Sequence, residues 1–388
     1  IAKLILQHSE HSPSEGDDFH SLFLDDQAAV FQNAYPAISK YREDEYVLST
    51  EAVRLLPATA LSSKTDSGFK PRKAGVFDSL IDSFCAREHG LFYEPNDLQG
   101  DRVEPFTGFY SKQNDGTDDQ GQPKFKYASH AVSKRLLTRV GINRSRATAQ
   151  DEILYSLEVL NEVLGKQNPV ATAYRGSILM RDDDLAEQLV SFINNQDFQL
   201  GGSTSRGLGH VDIHAGELED VENITAPELE VTKRIDNFNQ KLKKRWDYWN
   251  AFGKPDPDPT AGRTFFTINL QSDAILTEQW RRTMVVSKSM LRQFTELQPD
   301  ADVELHMAYS SYDYRSGWNA AWGLPKDVEL VTKMGGVFLY SVPEEKKYLW
   351  CKQLTHLELN GVGERTSEGF GQIEVCDEFH LVMREAAV

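Results

Sequence analysis

Two ten-residue segments constrain this chain more than any other feature. Thr204–Ile213 reads TSRGLGHVDI and Thr366–Val375 reads TSEGFGQIEV. Stacked without a gap, they share Thr, Ser and both glycines. Four further columns exchange like for like: Leu208 with Phe370, Val211 with Ile373, Asp212 with Glu374 and Ile213 with Val375. Such a pair implies that one structural unit occurs twice. Each copy predicts a glycine-spaced loop running straight into an alternating strand. Backbone N–H groups of a loop like this can approach an anion, so the repeat bears on function as well as fold.

At 388 residues, two domains are expected, and a hydrophobic fraction of 40% lets each half bury a sizeable core. IAKLILQ (1–7) reads as a strand and the polar, acidic stretch 8–26 as a loop. Apolar spacing predicts a helix over Val76–Arg87, and the turn-rich run NDGTDDQGQP marks 94–128 as a mobile insertion or hairpin arm. Residues 151–164 fit either a strand pair or a helix, whereas Leu185–Asn194 reads as a helix just before the first glycine loop. KPDPDPTAGR (254–263) is a linker by its prolines, and TFFTINLQS (264–272) then alternates as a strand. Strand, helices, strand, glycine loop and strand is an α+β pattern compatible with a ferredoxin-like unit.

The net charge of −17 argues against a protein whose whole surface attracts nucleic acid. The charge is unevenly placed, however. Lys134, Arg135, Arg139, Arg144 and Arg146 fall in a run with no acid, and Lys241–Arg245 is nearly all basic. Acid gathers in 17–26, 182–184 and 217–230. A basic track on an acidic body suits a subunit that holds a strand along one groove; ordinary solvated faces are the bland alternative. The mean hydropathy of −0.49 and the lack of a long apolar run predict no membrane span. IAKLILQ is too short for a secretory signal, and with no initiator Met, residues are expected to be missing before Ile1. Cys85, Cys351 and Cys376 have no metal-ligand spacing and cannot all pair, which predicts a reduced, cytoplasmic protein without metal or cofactor.

Several chemistries fail on spacing. Neither glycine loop has the Lys-Ser/Thr pair of a phosphate-binding P-loop, and Gly361-Val-Gly363 meets Thr366 where a dinucleotide fingerprint needs its third glycine. No His-Asp dipeptide and no Gly-Gly-Asp-Asp occurs. His130, His210 and His356 are the candidates for acid–base work on RNA, but a lone histidine without a recognisable partner is more often structural.

What the loops offer is a backbone cradle. In the first, Gly201, Gly202, Gly207 and Gly209 permit positive φ, Ser203, Thr204 and Ser205 add hydroxyl donors, Arg206 adds charge, and His210 follows. In the second, Gly361, Gly363, Gly369 and Gly371 take the glycine role, with Thr366 and Ser367 as donors, Arg365 as the charge and Phe370 free to pack inward or stack on a base. The competing reading is a pair of hairpins whose glycines only permit tight packing. The copies are also unequal: Arg206 and His210 align with Glu368 and Gln372, so the first is expected to contact RNA more directly and the second to be shaped partly for a protein neighbour. KRLLTRVGINRSR (134–146), if extended, turns Arg139 and its neighbours to solvent with its aliphatics buried. KLKKRWDYWN (241–250) carries its aromatics at helical spacing, which favours core.

At these residues the chain resembles the RAMP superfamily of CRISPR-associated proteins, whose mark is a glycine-rich loop near the C-terminal end of a ferredoxin-like (RRM-type) domain; GERTSEGFGQIEV (363–375) is the matching segment. TRVGINRSRATAQDEILYSLEVL (138–160) resembles a region of type III RAMP subunits, with Arg146 where that pattern has Thr. GWNAAWGLPK (317–326) and GGVFLY (335–340) resemble the second domain of the type III-D Csx-ten family, in the Cas-five-like group. The resemblance implies a first RAMP domain over 1–253 with an insertion around 94–128, a linker at 254–263 and a second RAMP domain over 264–388. It further implies a crRNA-binding subunit that grips the five-prime handle of the guide, with crRNA, target RNA, a large Cas-ten-type subunit and neighbouring backbone RAMPs as partners. A RAMP-type RNA endonuclease is the alternative. Some backbone RAMPs cut target RNA with a loop Asp; the matched motif here has Asn143 before Arg144, which makes Asn143 a candidate RNA contact and argues against cleavage. The usual Pro-Gly-Ser-Ser first-loop wording is at best degenerate, as LSTEAVR (48–54).

Overall fold

The computed structural model describes residues 1–388 apart from 2–4, 6–13, 15, 26–27, 43–44, 50, 118–122, 144, 165–169, 217–226, 298–301 and 320–323. Helix and sheet are mixed along the chain, as expected of an α+β protein. Two compact units interleave in sequence. Unit 1 is Ile1–Asn33, Ser177–Gln240 and Pro259–Cys376; unit 2 is Ala34–Gly176, Lys241–Asp258 and Asp377–Val388.

Unit 1 is built on a four-stranded antiparallel sheet. Its elements in chain order are β1 (Arg263–Leu270), α1 (Lys288–Phe294), β2 (Glu304–Tyr309), β3 (Val337–Pro343), α2 (Lys347–Asn360) and β4 (Ile373–Val375). The spatial order is β4-β1-β3-β2. RTFFTINL forms a central strand because Phe265 through Leu270 are all buried, which requires cover on both faces. β4 pairs only with Ile268–Leu270. At Phe265, beyond the end of β4, the Asn239 side chain completes the ladder: its Oδ1 accepts from Phe265 N–H at 2.8 Å and its Nδ2 donates to Phe265 O at 2.7 Å. Asn239 lies on the helix Pro227–Trp249, where Val231, Ile235 and Phe238 are buried at helical spacing. A satellite core forms where the helix Asp183–Asn194, N-capped by Asp182, buries Leu185, Leu189 and Ile193 with Leu22, Ala29 and Phe198.

Unit 2 places Ala60–Ser63 between Val76–Asp78 and Val103–Pro105 in one sheet, and Phe109–Thr117 between Val53–Leu55 and Pro123–His130 in another. Leu56, Ala60, Phe69, Val76, Tyr110 and Phe379 form its core cluster. Phe109–Thr117 and Pro123–His130 pair antiparallel and join Val53–Leu55 in a three-stranded sheet that places Tyr110 in the core. Lys134–Asn143 and Thr148–Leu160 pair as a further two-stranded ribbon, which resolves the helix-or-strand choice at 151–164 as strand through Leu160.

Two sequence expectations need correction. The helix expected over Val76–Arg87 starts only at Leu80, because Val76–Asp78 pairs with Ala60–Ser62. The Asp78 carboxylate accepts from Leu80 N–H at 2.8 Å and so marks the switch from strand to helix. Within the expected strand 1–7, Ile5 has helical backbone, its N–H donating to Ile1 O at 3.0 Å. A short aliphatic run fits a strand or a buried helical turn equally well by pattern, and the satellite core that Ile1 and Ile5 pack against selects the turn.

Candidate nucleic-acid interface

The two glycine loops both belong to unit 1, and their backbones match position by position. Ser203 (φ 60°, ψ 29°) and Arg365 (φ 58°, ψ 37°) are both left-handed. Each opens a single 3-10 turn, Thr204–Arg206 or Thr366–Glu368, which a left-handed Gly207 or Gly369 closes. The base of each loop is tied by one bond of the same length: Leu200 N–H donates to Gly209 O at 2.8 Å, and Val362 N–H to Gly371 O at 2.8 Å. Gly209 and Gly371 are required there, since a Cβ would stand 2.3 Å from Leu200 O or 1.8 Å from Val362 O. These glycines therefore serve close packing, as the structural reading anticipates.

Around the other positions the loops diverge. A Cβ on Gly201, Gly202 or Gly207 would meet nothing within 4 Å, so the first loop opens to solvent. Among the described residues, the N–H groups of Gly201, Gly202, Ser203, Thr204 and Ser205 make no hydrogen bond. Successive donors in a left-handed-to-right-handed turn form a concavity that favours an anion. The second loop is partly filled: of the five equivalent N–H groups, Gly363 to Ser367, only that of Glu364 is hydrogen-bonded among the described residues. Glu364 N–H donates to Ile275 O and Gly371 N–H to Asp273 O, both at 2.9 Å. A Cβ on Gly369 would stand 2.8 Å from Phe31 O, and one on Gly361 would stand 2.9 Å from Gly371 O. The Arg365 guanidinium is held by the Glu368 carboxylate, through Nε at 2.7 Å, and lies over the Phe370 ring at 5.1 Å. That pairing raises the Arg365 pKa and lowers that of Glu368. A phosphate at Arg365 must first displace Glu368, whereas Thr366 and Ser367 flank the same turn.

His210 begins the strand that leaves the first loop, and Asp212, two residues on and hence on the same face, brings Oδ1 to 3.8 Å from Nε2. The spacing of two between His210 and Asp212 is the sequence signal for this pair. Both groups are exposed, so the pair is weakly coupled. His130 Nε2 lies 2.9 Å from Ser111 Oγ, and burial lowers its pKa. His356 is on α2, beside Asn360.

The basic ribbon belongs to unit 2. Lys134–Asn143 is extended, as needed for a backbone-tracking strand, but its aliphatics are not buried. Leu136 is 73% exposed and Leu154, on the partner strand, 72%. No third strand pairs with this ribbon among the described residues, and these aliphatic side chains face solvent. The acid-free run also acquires acids across the ladder: Lys134 Nζ reaches Glu158 at 3.3 Å, and Arg135 grips Glu162 through two bonds of 2.9 Å. Arg139 and Arg146 each have an interaction partner. Arg144 lies outside the described residues, as does the side chain of Asn143.

Within the run Lys241–Arg245, Lys243 and Lys244 are exposed while Arg245 is taken up by acids. The buried Asp82 carboxylate accepts from Arg245 Nε at 2.7 Å and Nη2 at 2.8 Å, and from Trp249 Nε1 at 2.8 Å. Trp246 and Trp249 are buried, in line with their helical spacing. No group of three or more metal-ligating side chains is assembled among the described residues, and no described helix is long and apolar enough to cross a membrane.

No family model matches this chain, and no curated protein matches it. Among solved structures, the chain is similar to a Cas6 product complex, with 13% identity over 55% of this chain and 79% of that one, at a TM-score of 0.30. It is also similar to a type III-B Cmr-beta complex bound to cognate target RNA, with 10% identity over 86% of this chain and 72% of the other, at a TM-score of 0.32. These are likenesses of shape at low score, and they assign no activity to this chain.

Proposed function

We propose that this chain is an RNA-binding structural subunit of a type III CRISPR effector complex, of the type III-D Csx-ten kind, that grips the five-prime handle of the crRNA. The observation that carries the proposal is the first glycine loop, a cradle of five consecutive backbone N–H groups, Gly201 to Ser205, without protein partners among the described residues and with Arg206 beside it. An RNA phosphate is the ligand this chemistry suits, once P-loop and dinucleotide spacings are excluded. The strand-helix-strand-strand-helix-strand order of unit 1, with its sheet order β4-β1-β3-β2, supports a ferredoxin-like RAMP domain within 264–388. The matching loop at 200–209 supports an equivalent domain within 1–253, joined through 254–263. Partners on this reading are crRNA, target RNA, a large Cas-ten-type subunit and neighbouring RAMP subunits.

Binding of a labelled single-stranded oligoribonucleotide tests the site. Arg206→Ala should weaken binding uniformly across sequences and lower the slope of log K against log salt by about one. Unchanged affinity and slope would remove the first loop from the interface. Recovery of a discrete small RNA with a shared five-prime end from the purified complex would support the guide assignment. Site-specific cutting of precursor RNA that is lost in His130→Ala or His210→Ala would replace it with the endonuclease reading.

A further inference from the structure

Beside the second glycine loop, a hairpin holds a tryptophan entirely in solvent. Thr277–Glu278 and Arg281–Arg282 pair, with Thr277 opposite Arg282 and Glu278 opposite Arg281, leaving Gln279 and Trp280 as a two-residue turn. Both turn residues have positive φ, 48° and 66°. That turn type favours Asn-Gly, because left-handed backbone crowds a larger side chain. Gln-Trp is a poor choice for the turn itself, and the ring gains nothing from packing. Trp280 is 99% exposed, and no ring or cation lies against it among the described residues.

The tip is held firmly in place. Arg282 donates to Glu364 of the second glycine loop at 2.8 Å and to Glu329 at 2.7 Å. Thr277 Oγ1 donates to the same Glu364 carboxylate, and Ile275 bridges Glu364 through the backbone. A strained turn thus presents an indole at a fixed place next to a loop of the RAMP type.

We infer that Trp280 is a stacking platform for one RNA base; the inference rests on the RNA-binding function proposed above. An indole flanked in sequence by Glu278, Gln279, Arg281 and Arg282 offers a π-face for one base. Arg282 is paired with Glu364 and Glu329 and Arg365 with Glu368, while Arg281 is exposed; the indole itself carries no charge. The contribution is therefore stacking rather than phosphate neutralisation, and it has a distinct signature. In fluorescence-anisotropy titrations of the full chain with a labelled single-stranded oligoribonucleotide of mixed sequence, Trp280→Ala weakens binding about tenfold without altering the salt slope. Trp280→Phe, which keeps a π-face, retains most of the affinity. Because the ring packs on nothing, both variants should unfold at the wild-type midpoint. Wild-type binding that Trp280→Ala leaves unchanged, or a changed salt slope, overturns this inference alone. Failure of the wild-type chain to bind RNA overturns the proposed function with it.

Discussion

The matched loops allow one substitution to be made twice in the same local geometry but in different surroundings. Gly371→Ala puts a Cβ 1.8 Å from Val362 O at φ 68°, and Gly209→Ala puts one 2.3 Å from Leu200 O at φ 85°. Each incurs left-handed strain of roughly 1–2 kcal/mol. The rest depends on whether the opposing residue can move. Leu200 is 55% exposed and can swing into water, exchanging its hydrogen bond to Gly209 for one to solvent. Val362 is fully buried, and the neighbouring Glu364 and Gly371 N–H groups are tied to Ile275 O and Asp273 O. Relief there breaks two hydrogen bonds, Val362 to Gly371 and Gly371 to Asp273, at roughly 0.5–1.5 kcal/mol each, and unseats a core side chain. Gly371→Ala should therefore cost about 3–4 kcal/mol, and Gly209→Ala about 1–2 kcal/mol. Urea denaturation followed by circular dichroism measures both. Equal costs within about 0.5 kcal/mol, or a larger cost at Gly209, would refute the argument that the first loop is open and the second packed.

Two further outcomes follow from side chains that the mechanism of binding does not use. Asp82→Ala should cost about 2–3 kcal/mol in the same assay, because it strands the buried Trp249 indole N–H and leaves Arg245 only Glu385 at 3.2 Å; a loss below about 1 kcal/mol would show that water replaces the carboxylate. His130 has its pKa lowered by burial from the ordinary 6.5, so the unfolded chain takes up a proton before the folded one. Its contribution is then present above pH 6.5 and lost as pH falls through the lowered value. His130→Gln should flatten the fall in thermal midpoint between about pH 7 and pH 5, and an unaltered pH profile would dismiss the histidine as a source of acid sensitivity.

Much of the local structure was legible from residue pattern. The helix at 183–194 and the strand at 263–270 are set by periodicity, and the buried Trp246 and Trp249 follow from helical spacing. The glycine loops were legible as a repeat because their conformation demands particular residues at particular places. Gly209 and Gly371 both combine positive φ with a facing carbonyl oxygen, so glycine is favoured at the same place in both copies. What pattern did not reveal depends on partners distant in sequence. The acid that neutralises Arg135 arrives across a strand ladder, and the one that takes Arg245 comes from the helix Leu80–Glu88. The exposure of the ribbon's aliphatics depends on what packs over its faces, which local alternation cannot reveal.

The sequence alone determined that two equivalent glycine loops exist, since steric limits on backbone dihedrals act within a few residues. Only the tertiary structure decided which of them is open. The difference lies not in the ten repeated residues but in what stands over them: Phe31, Asp273 and Ile275 fill the second loop, whereas Gly201, Gly202 and Gly207 of the first meet nothing within 4 Å. Occupancy of the space over a loop is a property of the tertiary structure rather than of the repeated residues, and it separates an open loop from a packed one.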